Sequence, residues 1–176
     1  VLANEVLDAM PVELVIRTND GWRRQMVTVE EGAFAFVQAP LGDELAEQLA
    51  RQVPDHEQMI EGYVTELHPV GAGFMGSLAQ MFAGGRGAAI LLDYGFPAHE
   101  YYLDQRIGGT LMCHYRHHAH PDPFYLPGLQ DITAHVDFTA MALASQDAGL
   151  PVLAYMNQAN FLLAAGIGEL LLENDP

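Results

Sequence analysis

Lysine is absent from this chain of 176 residues, and its seven basic residues, all arginine, face 23 acidic ones. The formal net charge is therefore −16. Nucleic acids and anionic membrane surfaces are recognised mainly by clustered basic side chains, which neutralise phosphate charge. The composition therefore argues against both classes of partner.

Cysteine and long apolar runs are also scarce. The single Cys113 excludes an intramolecular disulfide and a zinc site made only of cysteines. No apolar run approaches the ~20 residues that a membrane-spanning helix needs. Half of the residues are hydrophobic, so the chain can bury a core, and its length suits one domain or part of one. Residues 1–3 resemble the tail of a buried strand. At the other end, a predicted helix stops just before the acidic C-terminal residues. We therefore expect a fragment of a longer protein.

Hydrophobic periodicity predicts a β-meander over residues 12–38, with Asn19-Asp20-Gly21 as one turn. Asp43 is predicted to cap a helix that runs to Val53. Beyond residue 60, predicted strands (62–68, 88–92, 110–115, 151–155) alternate with predicted helices (76–82, 131–148, 158–172). This alternation is typical of an α/β layer, and the continuous apolar run 88–92 suits a parallel strand buried on both faces. We interpret the meander as an insertion into this layer.

Two short motifs have both a functional and a structural interpretation. Residues 71–76 fit G-x-G-x-x-G, and Asp93 follows about 20 residues later, as in a dinucleotide-binding fingerprint. Glu66 and Pro69 make a poor buried strand before the motif, so a glycine-rich helix start is the preferred interpretation. The histidine-rich run 114–120, with His99 and His135 elsewhere, could suggest a metal, but we favour a polar, partly exposed loop and predict no metal site.

Residues 4–11 place Asn4, Glu5 and Asp8 directly after the first apolar segment. In open α/β sheets, ligands bind at the carboxyl ends of the strands, so these side chains are candidates for a functional site. The alternative is that Asn4 or Asp8 only caps a short helix. The residues alone do not decide between the two interpretations.

Residues 3–12 (A-N-E-V-L-D-A-M-P-V) resemble the N-E-x-x-D-A-x-P motif of the MidA family of S-adenosylmethionine-dependent methyltransferases, which includes a mitochondrial protein arginine methyltransferase. Four further segments resemble family motifs in the same order along the chain. The D-Y-G strand end corresponds to residues 91–95, the G-T-L-x-x-Y-R segment to 109–116, and the D-[IL]-T-x-x-V-D-F segment to 127–138. A later family element corresponds to Gln158 with Phe161-Leu162. The matches are spread over nearly the whole chain, so together they are specific.

The resemblance implies an α/β fold, namely part of a class I methyltransferase (Rossmann-like) sheet with the β-meander inserted. The family's glycine-rich cofactor loop and its ribose-binding acid precede the N-E-x-x-D motif, and the last strand of its sheet is expected beyond Pro176. The chain therefore resembles the middle-to-C-terminal part of such an enzyme. We expect it to bind S-adenosylmethionine weakly or not at all by itself.

The resemblance also implies methyl transfer from S-adenosylmethionine to a protein arginine. Glu5 would hold the guanidinium, Asn4 would orient substrate or cofactor, and Asp8 would support the site or cap. Asn4 and Glu5 are also the residues expected beside the cofactor. The substrate side would be lined by residues whose individual roles stay open: Tyr115, Arg116, Asp131, Thr133, His135 and Asp137.

The expected partner is a protein substrate, and the oligomeric state stays open, a homo-oligomer included. The resemblance implies a bacterial cytoplasmic location, or a mitochondrial one if the protein is eukaryotic. Two other functions remain as alternatives. One is a nucleotide-binding oxidoreductase that uses residues 71–76 and Asp93. The other is a non-catalytic assembly module whose meander and acidic surface bind a basic partner.

Overall fold

The computed structural model describes residues 1–173, with side chains described to residue 172. Its strands are β1 (Leu2–Asn4), β2 (Glu13–Thr18), β3 (Gly21–Glu30), β4 (Ala33–Pro40), β5 (Val64–Leu67), β6 (Ile90–Leu92), β7 (Gly95–Phe96), β8 (Met112–Tyr115), β9 (His118–His120), β10 (Asp131–Thr133) and β11 (Val136–Asp137). Its α-helices are α1 (Asp43–Gln52), α2 (Pro69–Phe82), α3 (Ala98–Tyr101), α4 (Phe138–Asp147), α5 (Gln158–Ala164) and α6 (Ile167–Glu173), with a 3₁₀ turn at Asp104–Arg106.

The meander predicted over residues 12–38 is confirmed as β2, β3 and β4, paired antiparallel. Strand β5 joins its free edge, which gives the order β4-β3-β2-β5. Leu14 lies opposite Gln25 on one side and Glu66 on the other, so these three residues share a face of the sheet. That the meander is an insertion stays a prediction.

Strands β1 and β6 pair in parallel, as do β7 and β11, which agrees with the predicted α/β layer. The expectation that residues 1–3 end a buried strand is wrong, and so is the expectation that residues 88–92 are buried on both faces. Leu2 is 74% exposed and its neighbour Ile90 is 41% exposed, because no part of residues 1–172 covers them.

Three predicted elements differ from the structure where pairing or capping overrides the local pattern. The helix predicted over 131–148 begins only at Phe138, because residues 131–133 pair with β8 and the Asp137 carboxylate caps α4 through the Ala140 N–H. Residues 151–155 pair with no described strand. The last helix is divided at Gly166, whose φ of 89° a helix cannot accommodate.

Helix α1 agrees with its prediction except at its start. Gly42 is the N-cap, and Asp43 lies in the first turn without a capping hydrogen bond. Leu49 and Val53 are buried and Leu45 packs beside them, as the helical spacing predicts. These side chains cover the sheet at Val15, and each fully buried aliphatic side chain of this size contributes roughly 1.5–3 kcal/mol.

A second core lies between α2 and α4 and holds the start of the chain. Leu7 is buried there with Met75, Val136 and Met141. Helix α4 approaches so closely that a Cβ on Gly71 would lie 3.1 Å from the Met141 sulfur. Leu7 thereby anchors the segment after β1, which contains the candidate site, to the packed helices.

Candidate functional site

The segment Asn4–Asp8 begins where β1 ends, beside the end of β6. Asn4 lies opposite Leu92, and the Glu5 N–H donates to the Leu92 carbonyl at 2.8 Å. Because the two strands are parallel, their carboxyl ends meet at one edge, where ligands bind in open α/β sheets. The predicted position of Asn4, Glu5 and Asp8 at a strand end is confirmed.

Asp93 holds this segment in place. Its Oδ2 accepts hydrogen bonds from the N–H groups of Leu7 (2.8 Å), Val6 (3.1 Å) and Asp8 (3.4 Å). Its Oδ1 accepts from the Tyr94 N–H at 2.9 Å. Both oxygens are therefore engaged with backbone, which is a structural task rather than the ribose contact of the dinucleotide alternative.

Glu5 has a left-handed backbone conformation, as do five other described residues that are not glycine. Its φ is 51°, in the left-handed region that residues other than glycine and asparagine rarely adopt. Such a conformation costs of the order of 1–3 kcal/mol, and such residues cluster at functional sites. The Glu5 side chain is exposed, and its charge is the main cause that raises the pKa of the nearby Tyr94 hydroxyl.

Asp8 is the buried member of the group. The residue is only 8% exposed, and its Oδ1 has no hydrogen-bond partner. Burial raises the pKa of its carboxyl, and the charges of Asp93, Glu5 and Asp131 raise it further. Within residues 1–172 none of these carboxylates forms an ion pair. We call Asp8 and the three residues whose charges act on it, Glu5, Asp93 and Asp131, the carboxylate cluster. Asp93 is already held by backbone N–H groups, and the described residues of the cluster are not grouped as metal ligands would be.

The G-x-G-x-x-G motif does not form a loop. Helix α2 begins at Pro69, seven residues before its predicted start, so residues 71–76 lie inside its first turns. Proline is favoured at the first position of a helix, and here it sets the start. A helical segment cannot wrap a pyrophosphate as the fingerprint does, so the structure contradicts the dinucleotide interpretation.

The histidine-rich run is a hairpin rather than the predicted loop. Strands β8 and β9 are joined by Arg116 and His117, whose φ values of 48° and 67° suit a type I′ turn. Tyr115 packs edge-on against Tyr125, with the Arg116 guanidinium 5.4 Å from the Tyr115 ring. Among the described side chains, no three His, Cys, Asp or Glu residues are grouped as metal ligands would be.

The other predicted substrate-side residues divide into two groups. Asp131 and Thr133 lie on β10, next to the segment after β1, because the Ala134 N–H donates to the Asp8 carbonyl at 2.9 Å. The Asp137 carboxylate, in contrast, is buried and bonded to the Tyr102 hydroxyl at 2.9 Å. We therefore leave Asp137 out of the proposed site.

His135 lies between these two groups. Its ring meets Phe96 edge-on with 5.2 Å between centroids, and its Nδ1 is buried without a partner. Burial lowers the pKa of this imidazole, and the charge of Arg106 lowers it further. The ring is therefore favoured in its neutral form.

Sequence reasoning missed a buried network around Glu66. This carboxylate is fully buried, and it accepts hydrogen bonds from the N–H groups of Thr110 (2.7 Å) and Leu111 (3.0 Å) and from the Tyr101 hydroxyl (2.9 Å). A Cβ on Gly109, whose φ is 74°, would collide with the Glu66 carboxylate. The short distance between Gly109 and the Glu66 carboxylate explains why the 109–116 motif begins with glycine. The one available signal was a glutamate within the segment 62–68, which the sequence predicts to be a strand.

Residues 1–156 match the family model described as "Putative S-adenosyl-L-methionine-dependent methyltransferase". The chain belongs to this family. The MidA resemblance is thereby confirmed, and the parallel strand ends described above agree with the class I methyltransferase fold. None of the described helices is long and apolar enough to span a membrane.

Several curated proteins that are similar to this chain are named "Protein arginine methyltransferase NDUFAF7, mitochondrial". The mouse protein is 31% identical over 94% of the chain and 35% of its own length. The human protein is 29% identical over the same shares. The chain thus spans about a third of the length of these relatives.

Two solved structures of COG1565 superfamily proteins from Burkholderia thailandensis are similar over 99% of the chain. One, bound to S-adenosyl-homocysteine, is 51% identical with a TM-score of 0.89, and the chain covers 44% of it. The other is 52% identical with a TM-score of 0.90, and the chain covers 46% of it. At this identity the shared fold includes the detailed course of the backbone.

Proposed function

We propose that this chain forms the acceptor side of an enzyme that transfers a methyl group from S-adenosylmethionine to a protein arginine. The observation that carries the proposal is the carboxylate cluster at the carboxyl ends of β1 and β6. Family membership supports the reaction, and the names of the curated relatives support arginine as the acceptor.

The cluster suits a guanidinium because this group stays protonated and binds carboxylates through paired hydrogen bonds. Glu5 is exposed at the strand end and free of basic partners within residues 1–172, so it is the residue proposed to hold the acceptor. Asp93 fixes the backbone on which Glu5 stands. Such prior positioning of reactants contributes much of the rate in transfer reactions.

Asn4 and Glu5 are proposed as the residues of this chain that face the cofactor, which supplies the methyl group. The acceptor nitrogen gains the methyl group and gives up a proton. Asp8, with an unpartnered oxygen and a raised carboxyl pKa, is suited to receive that proton. The sequence predicts that Asp8 supports the site or caps a helix, and we propose proton acceptance as a further role.

Radiolabelled S-adenosylmethionine and the complete gene product test the proposal. After incubation with arginine-rich protein substrates, acid hydrolysis should release labelled methylarginine. Label in lysine, or none in any amino acid, would contradict arginine methylation. The second outcome, together with tight binding of a basic protein, would favour the assembly-module alternative, in which the acidic surface binds without turnover.

A further inference from the structure

A cleft of about 360 Å³ opens beside the carboxylate cluster. Its floor is the face of the four-stranded sheet that carries Leu14, Val27 and Phe36. One wall is the chain after Asp8, including Met10, and the other includes Phe124 and Ile132. The volume lies within the roughly 300–1,000 Å³ of known ligand sites, and the lining is mainly apolar.

The carboxylate cluster lies at one end of this apolar lining, because Asp8 and Asp131 directly precede the lining residues Ala9 and Ile132 in the chain. The one acidic residue among the described lining residues, Glu13, is paired with Arg24 at 2.6 Å. An apolar floor beside a group of carboxylates is complementary to a ligand that has apolar groups beside a positive charge.

The position of the cleft relates it to the proposed acceptor site. The Ala134 N–H donates to the Asp8 carbonyl, so the two walls meet at the carboxylate cluster. The wall residue Phe124 packs on the floor residue Phe36, with 4.7 Å between ring centroids, and lies 6.1 Å from the ring of Phe34. A chain lying along the cleft from the cluster would bury its apolar side chains against the sheet.

We propose that the cleft binds the apolar residues next to the acceptor arginine in an extended segment of the substrate protein. The inference rests on the proposed function, because the arginine itself would occupy the carboxylate cluster. Specificity would then come from the neighbours of the arginine, which bury apolar surface in the cleft. A glycine-flanked arginine would lack this contribution.

The test uses the complete gene product with S-adenosyl-homocysteine and a fluorescein-labelled peptide that has a central arginine between leucines. A second peptide replaces the leucines by glycine. Fluorescence anisotropy should show binding of the leucine peptide at least about tenfold tighter, since two partly buried leucines suffice for this difference. Methyl transfer to both peptides is measured in parallel.

Val27→Arg places a charge on the floor and should reduce the ratio of the two affinities to about one. Val29→Arg is the matched control, because Val29 is 62% exposed on the same face of the same strand but does not line the cleft. Val27 is itself 55% exposed, so its variant should fold. Val27→Thr, which keeps the shape, should give a smaller loss.

The outcomes separate the two proposals. Transfer without preference between the peptides overturns the cleft and leaves arginine methylation standing. Preference in binding without transfer supports the cleft and contradicts the proposed function. Equal affinities in the wild type, or a Val27→Arg variant that keeps the preference, overturn the cleft. A Val27→Arg variant that changes a dimer into a monomer in sedimentation also overturns it, because a second copy is then the occupant.

Discussion

Two buried carboxylates, Glu66 and Asp8, differ in how their oxygens are used. The Glu66 oxygens accept hydrogen bonds from two backbone N–H groups and two hydroxyls. Asp8 keeps one oxygen without a partner and lies beside other carboxylates. Burial raises the pKa of both carboxyls, but the donors around Glu66 lower its pKa, whereas the charges beside Asp8 raise its pKa further. The comparison supports the proposal that Glu66 is a structural acid and that Asp8 serves the acceptor site.

The largest expected effect is the loss of stability in Glu66→Ala. The substitution leaves the Thr110 and Leu111 N–H groups buried without acceptors, so the free energy of unfolding should fall by about 3–5 kcal/mol. Urea denaturation of the complete gene product measures this change. Glu66→Gln is the control, because its amide oxygen can still accept both bonds and should cost less than about 1 kcal/mol. Equal losses in both variants would refute the network as the cause.

The neighbour of this network, His68, should make stability depend on pH. Burial lowers the pKa of its imidazole to about 4, whereas the unfolded chain titrates near the ordinary 6.5. Between these values the unfolded chain binds a proton that the folded chain does not. The free energy of unfolding should therefore fall by up to about 3 kcal/mol as the pH is lowered from 6.5 to 4.

Urea denaturation at pH 7.5 and 5 tests this dependence in the wild type and in His68→Gln. The variant should lose the contribution of His68. His135, whose imidazole pKa burial also lowers, keeps a contribution of the same sign, and Glu66, whose carboxyl pKa burial raises, keeps one of the opposite sign. His118→Gln, at an exposed position of β9, is the control and should retain the wild-type difference between the two pH values. A His68→Gln variant with the full wild-type dependence would assign the titration to another group.

On the functional side, Glu5→Gln should lower methyl transfer by about ten- to a hundredfold. Glutamine keeps the shape but lacks the charge that pairs with a guanidinium, and such a charge-assisted bond contributes about 1.5–3 kcal/mol. Steady-state kinetics and thermal melting should show lost activity at an unchanged melting temperature. Glu44→Gln, on helix α1, is the control. Early melting with full activity per folded molecule would instead make Glu5 a structural residue.

The smallest effect is expected for Asp8→Asn, and its sign is opposite to that of Glu66→Ala. The raised pKa of the Asp8 carboxyl means that folding disfavours its charged form, so asparagine should add about 0.5–1 kcal/mol to the free energy of unfolding at pH 8. The gain should shrink as the pH is lowered through the raised pKa of the folded state, and it should vanish below the ordinary pKa of 3.8, where the wild-type carboxyl is protonated in both states. Methyl transfer should fall at the same time.

Parallel measurements of melting and activity on Asp8→Asn and on the exposed Glu30→Gln check this trade-off. Glu30→Gln should change neither quantity by much. An Asp8→Asn variant that is destabilised would show that Asp8, like Glu66, is a structural acid, and the comparison between the two would fail.

The candidate site could be predicted from the sequence because its signals are local. An apolar segment followed by Asn4, Glu5 and Asp8 indicated a strand end. The resemblance to the MidA family indicated methyl transfer as the reaction. The meander was predictable for the same reason, since alternation and a turn motif lie within a few residues of each other. No local signal indicated that Asp93 would hold the segment after β1, because the two are more than 80 residues apart.

Alternation, helical spacing and the family motifs were thus determined by the sequence alone, because each is a property of neighbouring residues. The tertiary structure decided what depends on distant partners. Residues 131–133 became a strand because β8 offers them hydrogen bonds, and residues 151–155 did not because no described strand does. Glu66 became a structural acid because Thr110, 44 residues away, reaches it, while one oxygen of Asp8 has no partner among the described residues. Whether a buried charge stabilises or binds is set by the donors that the fold brings to it.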